Sequence, residues 1–157
     1  MDGGAEGRRP VLTTIETVLN LKGRDVWSVS PDATVRDAIE LMANRHVEAL
    51  VVLADRSLVG IVSERDCARK VTLRGRRPED VRIRDIMSSP VVCVTPAHTI
   101  GDCMRITSEK GFAHLPVLDG ETVAGIVSVG DLVKSIVREQ EDTIHYLEAY
   151  VTGKYPG

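Results

Sequence analysis

The segment GIVSERD, at residues 60–66, returns as GIVSVGD at residues 125–131, a shift of 65 positions. The same shift aligns residues 26–70 with residues 91–135 without a gap, and identical residues are spread along both copies. One copy alone would bury its apolar face poorly, because a chain that short has too much surface for its volume. The sequence therefore predicts an internal duplication whose two halves pack on each other.

Each copy carries the same series of predicted elements. A short β-branched run, VWSV or VVCV, leads into a stretch whose apolar positions recur at helical spacing, TVRDAIELMANR or TIGDCMRITSEK. Two apolar runs joined by a short polar turn follow and predict a β-hairpin, and a second helix begins at Glu64 or Val129. The sequence therefore predicts a mixed α/β fold, with the order β-α-β-β-α occurring twice.

The segments outside the copies predict further helices and set the domain boundaries. TIETVLNL, at residues 14–21, and VRIRDIM, at residues 81–87, each predict a short helix ahead of a copy. One extended helix is predicted from Ile136 through Tyr150, stopped by Gly153 and Pro156. The predicted organisation is a disordered N-terminal tail at 1–10, a first repeat with its leading helix at 11–73, a linker with the second repeat at 74–137, and a C-terminal helix and tail at 138–157.

Composition and motif content exclude several classes of function. The 157 residues are 43 % hydrophobic with a formal net charge of −3, which indicates a soluble globular protein without an electrostatic drive toward nucleic acid or anionic membranes. The apolar runs fall far short of the roughly 20 residues that cross a bilayer. The sequence has no nucleophile, metal-ligand or phosphate-loop pattern, so we expect neither an enzyme nor a metal protein. It shows no secretory signal, and a cytoplasmic location is expected.

The three cysteines, Cys67, Cys93 and Cys103, form no CxxC pair. An odd number without a vicinal pair is typical of reduced thiols in a cytosol, where they serve as small buried hydrophobic residues. Cys67 adjoins Asp66 near the start of a predicted helix, and a helix N-terminus can lower the pKa of a thiol. Cys67 is therefore the best candidate for redox sensitivity near the repeated turn.

The repeated turn has a structural interpretation and a functional one. In the structural interpretation, Ser63 or Ser128 is the N-cap of a helix, and Asp66 or Asp131 completes an imperfect capping box three residues later. The first helix of each copy begins with the same spacing, Thr-x-x-Asp, so capping alone could explain the repetition.

In the functional interpretation, the same turn binds a nucleotide. A helix N-terminus exposes unpaired N–H groups that bind phosphate, and a serine hydroxyl there can also donate to a phosphate oxygen. An aspartate has the wrong charge for phosphate, yet it can accept hydrogen bonds from a ribose diol. Gly60 and Gly125, just ahead in the strand, either leave room for a base or sugar or mark a bulge in the hairpin.

Together these features resemble a tandem pair of CBS (cystathionine-β-synthase) domains, the unit called a Bateman module. The resemblance covers residues 15–137 and rests on the duplication, the Pro-x-x-Thr-x-x-Asp helix starts, HLPV at residues 114–117 and the two G-I-V-S-x-x-D segments. The chain is especially similar to CBS-pair proteins of bacteria and plant organelles that carry no attached enzyme. The resemblance implies two repeats packed through their sheets with pseudo-twofold symmetry, and two clefts for adenosine-containing ligands.

The resemblance also implies ligand roles. In the family the motif aspartate holds ribose, the Ser or Thr with nearby basic side chains holds phosphate, and adenine lies between apolar strand residues. The residues on which these roles fall here are Ser63, Arg65, Asp66, His114, Pro116, Ser128, Asp131 and Lys22. The clefts are unequal, because Arg65 corresponds to Gly130 and His114 to Ala49. Arg65 and His114 either share one phosphate pocket or serve one each. Lys22 precedes the first strand, where the family often contacts the base.

The predicted function is that of a non-enzymatic sensor. An adenine nucleotide, AMP first and ADP, ATP or NAD as alternatives, binds in the clefts, and an unknown regulated protein reads the occupancy. No further cofactor is required. The alternative is a structural or protein-interaction module in which the turns only cap helices.

We also expect a homodimer, or a larger assembly of dimers, formed by the helices that follow the two turns. These helices are amphipathic and expose more apolar surface than one small core can cover. Their apolar residues are Ala68, Val71, Leu73, Leu132, Val133, Ile136 and Val137, and the tail helix adds contacts from Ile144, Leu147 and Tyr150.

Overall fold

The structure of the protein is a computed structural model that describes residues 12–151, with side chains described as far as residue 142. The predicted tail at 1–10, the helix stop at Gly153 and the expected contacts of the tail helix lie outside these residues and side chains. The helices are α1 (Ile15–Lys22), α2 (Val35–Arg45), α3 (Glu64–Lys70), α4 (Ile100–Lys110) and α5 (Val129–Val151), and the strands are β1 (Ser28–Val29), β2 (Ala49–Ala54), β3 (Ser57–Ser63), β4 (His114–Asp119) and β5 (Thr122–Ser128). The predicted mixed α/β fold is confirmed.

The strands form two small sheets. In the first sheet β1 is parallel to β2, and β2 is antiparallel to β3; β4 and β5 form the second. Val52 pairs with Gly60 while Leu53 pairs with Leu58, so Val59 is the extra residue of a β-bulge. Both predicted hairpins are present. The bulge lies beside Gly60, in agreement with the interpretation that this glycine marks a bulge in the hairpin.

The predicted first strand of the second copy, VVCV, is reduced to a single parallel bridge between Val94 and Val117. In the first copy the N–H of Val51 donates to the carbonyl of Trp27 and extends the ladder. Pro116 stands at the position equivalent to Val51 and has no N–H to donate, so the ladder stops after one residue.

The predicted helix at 81–87 is also wrong, since only Ile83–Asp85 forms one turn of 3₁₀-helix. In an α-helix the carbonyl of Val81 would accept from the N–H of Asp85. It accepts instead from the N–H of Val35 at 2.9 Å, while Val81 and Ile83 are buried in the core. Tertiary hydrogen bonds and burial therefore override the helical pattern here.

The chain divides into two compact units that do not follow the two copies. Among the described residues, unit 1 contains 12–23, 95–115 and 127–151, and unit 2 contains 24–94 and 116–126. In unit 1, α1 lies beside the start of α4, because the N–H of Ile15 donates to His98 and that of Ile100 to Thr13, both at 2.8 Å. The leading helix therefore packs with helices of the second copy. The predicted boundaries describe the repeat in sequence and stay predictions.

Each unit has its own buried residues. In unit 1 the largest fully buried side chains come from all three helices and from β4: Ile15, Leu19, Ile100, Leu115 and Leu132. In unit 2, α2 packs on the sheet of β1, β2 and β3 through a cluster that includes Val35, Met42, Leu50, Val62 and Ile83.

Part of the expected association surface belongs to these cores. Val71 and Leu132 are fully buried, so they cannot contribute to an interface between chains, and that part of the expectation is wrong. Leu73, Val133 and Val137 are exposed, at 78 %, 43 % and 47 % of their surface. Within residues 12–151 no helix is both long enough and apolar enough to cross a membrane.

Candidate functional site

All four Ser/Thr-x-x-Asp turns cap helices. At Thr34, Ser63 and Thr99 the hydroxyl accepts the N–H of the aspartate three residues later, and the carboxylate accepts the N–H of the cap residue. Ser128 and Asp131 make the same two hydrogen bonds, at 2.8 and 3.0 Å. The structural interpretation is confirmed at each turn, and the boxes expected to be imperfect with aspartate are complete. A ligand role must therefore be additional to capping.

The first turn, between β3 and α3, uses both oxygens of its carboxylate within the protein. Asp66 Oδ2 accepts the backbone N–H of Ser63 at 2.9 Å and its hydroxyl at 3.1 Å. Asp66 Oδ1 lies 3.3 Å from the side-chain nitrogen of Lys70, which also donates to the carbonyl of Ile86. Sequence reasoning missed Lys70, although its i,i+4 spacing from Asp66 on a helix indicates the contact.

The space above Gly60 in this copy is filled by a side chain of the protein. A Cβ atom at residue 60 would lie 2.6 Å from the sulfur of Met87 and 3.0 Å from its Cγ atom. The missing side chain at Gly60 therefore makes room for Met87. The interpretation that this glycine also admits a base or sugar stays a prediction.

The second turn, between β5 and α5, brings together two predicted site residues that are 109 positions apart. Asp131 Oδ2 accepts the N–H of Ser128 and, at 2.7 Å, the ammonium group of Lys22. The hydroxyl of Ser128 accepts the N–H of Asp131, and its interaction with the carboxylate also helps to lower the pKa of Asp131. The hydroxyl of Ser63 likewise interacts with its aspartate and donates to Asp66 at 3.1 Å. The two turns thus share their caps, and the cation beside the carboxylate is Lys22 at one turn and Lys70 at the other.

An open groove of about 540 Å³ adjoins the pair of Lys22 and Asp131, between α1 and α5 of unit 1. This volume falls within the range of ligand pockets, roughly 300 to 1,000 Å³. The groove combines an apolar wall with charged groups of both signs. Its lining includes Val18, Leu21 and Lys22 of α1 and Asp131, Lys134, Ser135, Arg138 and Glu141 of α5.

Asp131 is held in its ionised form. Burial opposes the negative charge, but the hydrogen bond from Lys22, the backbone N–H of Ser128 and the nearby ammonium charge together lower the pKa of the carboxyl below its ordinary value. The side chains of Lys22 and Asp131 are only 31 % and 20 % exposed, so solvent screens their interaction less than that of a surface pair.

His114 adjoins the second turn, because the carbonyl of its neighbour Ala113 accepts the N–H of Val129 at 3.0 Å. Arg65 is exposed on α3, and His114 is half-buried at the start of β4. Pro116 is buried within β4, where its carbonyl accepts the N–H of Val94 at 3.0 Å. Arg65 belongs to unit 2 and His114 to unit 1, and whether they serve one phosphate pocket or two stays a prediction.

The expectation for Cys67 is wrong. Burial, reinforced by the charges of Asp66 and Glu64, raises its pKa to about 11, which outweighs the lowering by its backbone hydrogen bond at the helix start. Burial and the charge of Asp102 raise the pKa of Cys103 to about 11 as well, and burial raises that of Cys93. Within residues 12–151 no cluster of His, Cys, Asp or Glu is arranged to hold a metal ion.

Comparisons with known proteins agree with this architecture. The CBS domain family matches twice, at residues 18–72 and 83–138. The CBS domain-containing protein CBSX3, mitochondrial, of Arabidopsis thaliana is 33 % identical over 153 residues, which cover 91 % of this chain and 74 % of that protein.

Two solved structures are also similar. One is a CBS-domain protein of Burkholderia ambifaria that is provisionally assigned to signal transduction. It superposes with a TM-score of 0.78 at 41 % identity, and the match covers 82 % of this chain and 96 % of the Burkholderia chain. The hexameric CBS-CP12 protein of bloom-forming cyanobacteria has a TM-score of 0.72 at 29 % identity, covering 79 % and 68 % of the two chains. The fold is therefore that of a tandem CBS pair. This chain belongs to the CBS domain family.

Proposed function

We propose that this protein is a regulatory module that binds an adenosine-containing nucleotide at the turn from Ser128 to Asp131. The observation that carries the proposal is the placement of the Asp131 carboxylate. It is anchored by the helix cap, ionised, and lines a groove of ligand size together with Lys22. An anchored carboxylate is suited to accept hydrogen bonds from two ribose hydroxyls.

Two differences favour the second turn over the first. Met87 fills the space above Gly60. The second turn begins α5, a 23-residue helix, whereas α3 has seven residues. The first turn is therefore the weaker candidate, and we propose that the two sites are unequal in affinity.

The ligand we propose is an adenine nucleotide, with AMP as the first choice and ADP, ATP or NAD as alternatives. It is a regulatory ligand in this proposal and takes no part in catalysis. Binding can act on a partner protein only if the ligand has different affinities for two arrangements of the module. The provisional assignment of the Burkholderia relative to signal transduction supports this kind of role.

Calorimetric titration of the purified protein with AMP, ADP, ATP and NAD tests the proposal. We expect Asp131→Asn to weaken binding by roughly ten- to a hundred-fold, because asparagine keeps the cap but replaces one charged acceptor of the diol, a loss of about 1.5–3 kcal/mol. Asp66→Asn is the matched control, since it makes the same chemical change at the other turn, and we expect an effect within about twofold.

A protein that binds none of the four nucleotides contradicts this function. So does an Asp131→Asn variant that binds as the wild type does. Either result favours the alternative, a structural or protein-interaction module, for which the complete caps at all four turns would be sufficient.

A further inference from the structure

We infer that two copies of this chain associate head to tail, with α3 of each copy packed on α5 of the other. The surface involved on α3 and the loop after it is basic, and it consists of Arg65, Arg69, Leu73, Arg74 and Arg76. The inference goes beyond the expected self-association, because it states which surfaces meet and what selects them. It does not depend on the binding of a nucleotide.

The structure separates the arginines of this region into paired and unpaired residues. Arg77 forms an ion pair with Glu79. Arg82 and Arg84 both contact Asp32. Within residues 12–142, in contrast, the side chains of the four arginines of the basic surface make no hydrogen bond or ion pair. All four are exposed, so their charges are available to another molecule.

The fold places these charges on one short segment of unit 2. Arg65 and Arg69 lie one helical turn apart on α3. After the next turn, which is 3₁₀, the N–H of Arg76 donates to the carbonyl of Val71 at 3.0 Å, so the chain returns to the end of α3. Leu73, in that turn, is exposed. The surface therefore combines an apolar residue with arginines, a residue type that is enriched at protein interfaces.

Acidic residues of the same segment do not balance this charge. From residue 64 to residue 77 the sequence has six basic residues and two acidic ones, Glu64 and Asp66. The carboxylate of Asp66 is already held by Ser63 and Lys70. Packing α3 against α3 of a second copy would bring equivalent arginines together across the twofold axis, and like charges at an interface are unfavourable.

The α5 helix has the opposite charge balance. From residue 129 to residue 142 the sequence has four acidic residues and two basic ones, Lys134 and Arg138. Glu141 and Asp142 are exposed and, as far as side chains are described, make no hydrogen bond or ion pair. This acidic part of α5 therefore complements the arginines of a second copy.

The same helix carries exposed apolar residues ahead of its acidic part. Val133, Val137 and Glu141 are spaced by four residues, so they lie along one side of α5. Both valines are exposed in the single chain. Leu73 of a second copy matches them, because Leu73 precedes an arginine while a carboxylate follows the valines on α5.

A symmetric dimer makes each contact between unlike surfaces twice, since α3 of the first copy meets α5 of the second and the reverse. This arrangement brings opposite charges together at both contacts and separates the two sets of arginines. Because α5 begins directly after Ser128, the contact also joins the second turn of one chain to α3 of its partner.

The test is a charge-swap experiment on the full chain, in which analytical ultracentrifugation at low salt gives the dissociation constant of the dimer. Arg69→Glu combined with Arg74→Glu should raise this constant at least about tenfold, because attractions become repulsions at both contacts. Glu141→Arg combined with Asp142→Arg should raise it by a similar factor. A chain that carries all four changes should return to within about threefold of the wild type, since its surfaces are again complementary.

Two controls accompany the swap. Arg56→Glu makes the same chemical change at an exposed arginine in the turn between β2 and β3, and we expect an effect within about twofold. Arg65 stays unchanged because it is a candidate ligand. Melting curves identify a misfolded variant, and Arg69→Gln with Arg74→Gln then replaces the charge reversal and should raise the constant several-fold.

Three results would overturn the inference. One is a chain with all four changes that dissociates as readily as the chains with two. Another is a mixture of wild type and the Arg69→Glu, Arg74→Glu chain in which mixed dimers form in preference to both parent dimers, because this pattern shows that α3 meets α3. The third is a wild type that stays monomeric at micromolar concentration, which assigns the basic surface to an acidic segment of a different protein.

Discussion

The side chain of Met87 lies over the backbone of Gly60, with its sulfur 2.6 Å from the point that a Cβ atom at residue 60 would occupy. Met87 belongs to the segment before the second copy, and Gly60 is buried in β3 of the first, so this contact ties the linker to the repeated GIVS strand within unit 2. The packing of Met87 therefore explains why residue 60 is a glycine, and the explanation does not involve a ligand.

Gly60→Ala should consequently destabilise the protein by about 1–3 kcal/mol, because the new methyl group would overlap the sulfur of Met87 and lie unusually close to its Cγ and Cβ atoms. Chemical denaturation measures the free energy of unfolding. Gly60→Ala combined with Met87→Ala should be more stable than the sum of the two single effects, since the second change removes the overlap. Additive effects in this double-mutant cycle would show that the contact is not what requires glycine.

The elements that depend on local pattern were predictable from the sequence. The four helix starts follow from Thr/Ser-x-x-Asp, and the hairpins follow from paired apolar runs around short polar turns. The two wrong elements depend on partners far away in sequence. The ladder at VVCV ends because Pro116 has no N–H, and the helix at 81–87 fails because Val35 donates to the carbonyl of Val81.

The candidate site was predictable in its residues but not in its pairing. The sequence identified Lys22 as a candidate ligand. It did not indicate that Lys22 reaches Asp131, which is 109 positions away. That contact requires α1 to pack beside α5 in one unit, which is a property of the tertiary fold. Likewise, the filling of the space above Gly60 depends on where the linker lies.

The cysteines should differ in reactivity according to their burial. With a pKa of about 11, Cys67 and Cys103 are roughly 0.1 % thiolate at pH 8, and both are buried. Cys93 is partly exposed, so it should be the only thiol of the native protein that reacts rapidly with a disulfide reagent such as DTNB. Cys93→Ser should abolish the rapid phase. A rapid phase that persists in Cys93→Ser and disappears in Cys67→Ser would contradict this assignment.

Self-association should depend on the exposed apolar residue that follows α3. Leu73 is 78 % exposed in the single chain, and we expect light scattering to show a homodimer or larger assembly at micromolar concentration. Leu73→Glu should shift the mass toward the monomer. Leu12→Glu is the matched control, because Leu12 is 67 % exposed but precedes α1 and belongs to neither segment that is expected to associate, and it should leave the mass unchanged. A monomeric wild type, or equal effects of the two changes, would reject the predicted interface.

The ion pair of Lys22 and Asp131 also predicts a pH-dependent contribution to stability. Because the pKa of Asp131 is lower in the folded protein than its ordinary value near 3.9, the folded state favours the ionised carboxylate. This contribution is fully present above the ordinary pKa, and it is lost as the pH falls through the lower folded value. Asp131→Asn keeps an acceptor for the cap but cannot titrate. The difference in stability between the wild type and this variant therefore measures the contribution of the carboxylate charge.

At pH 7 we expect the wild type to exceed Asp131→Asn by about 1 kcal/mol in free energy of unfolding, a typical value for a partly screened, hydrogen-bonded pair. In a 157-residue protein this corresponds to a change in Tm of roughly 2–4 °C. The difference should stay constant down to about pH 5 and shrink below about pH 4, where the wild-type carboxylate takes up its proton. Lys22→Met serves as the control, because removing the ammonium group should lower the stability at pH 7 and flatten the acid dependence. A difference between wild type and Asp131→Asn that persists undiminished at pH 3 would show that the ionised pair does not stabilise the fold.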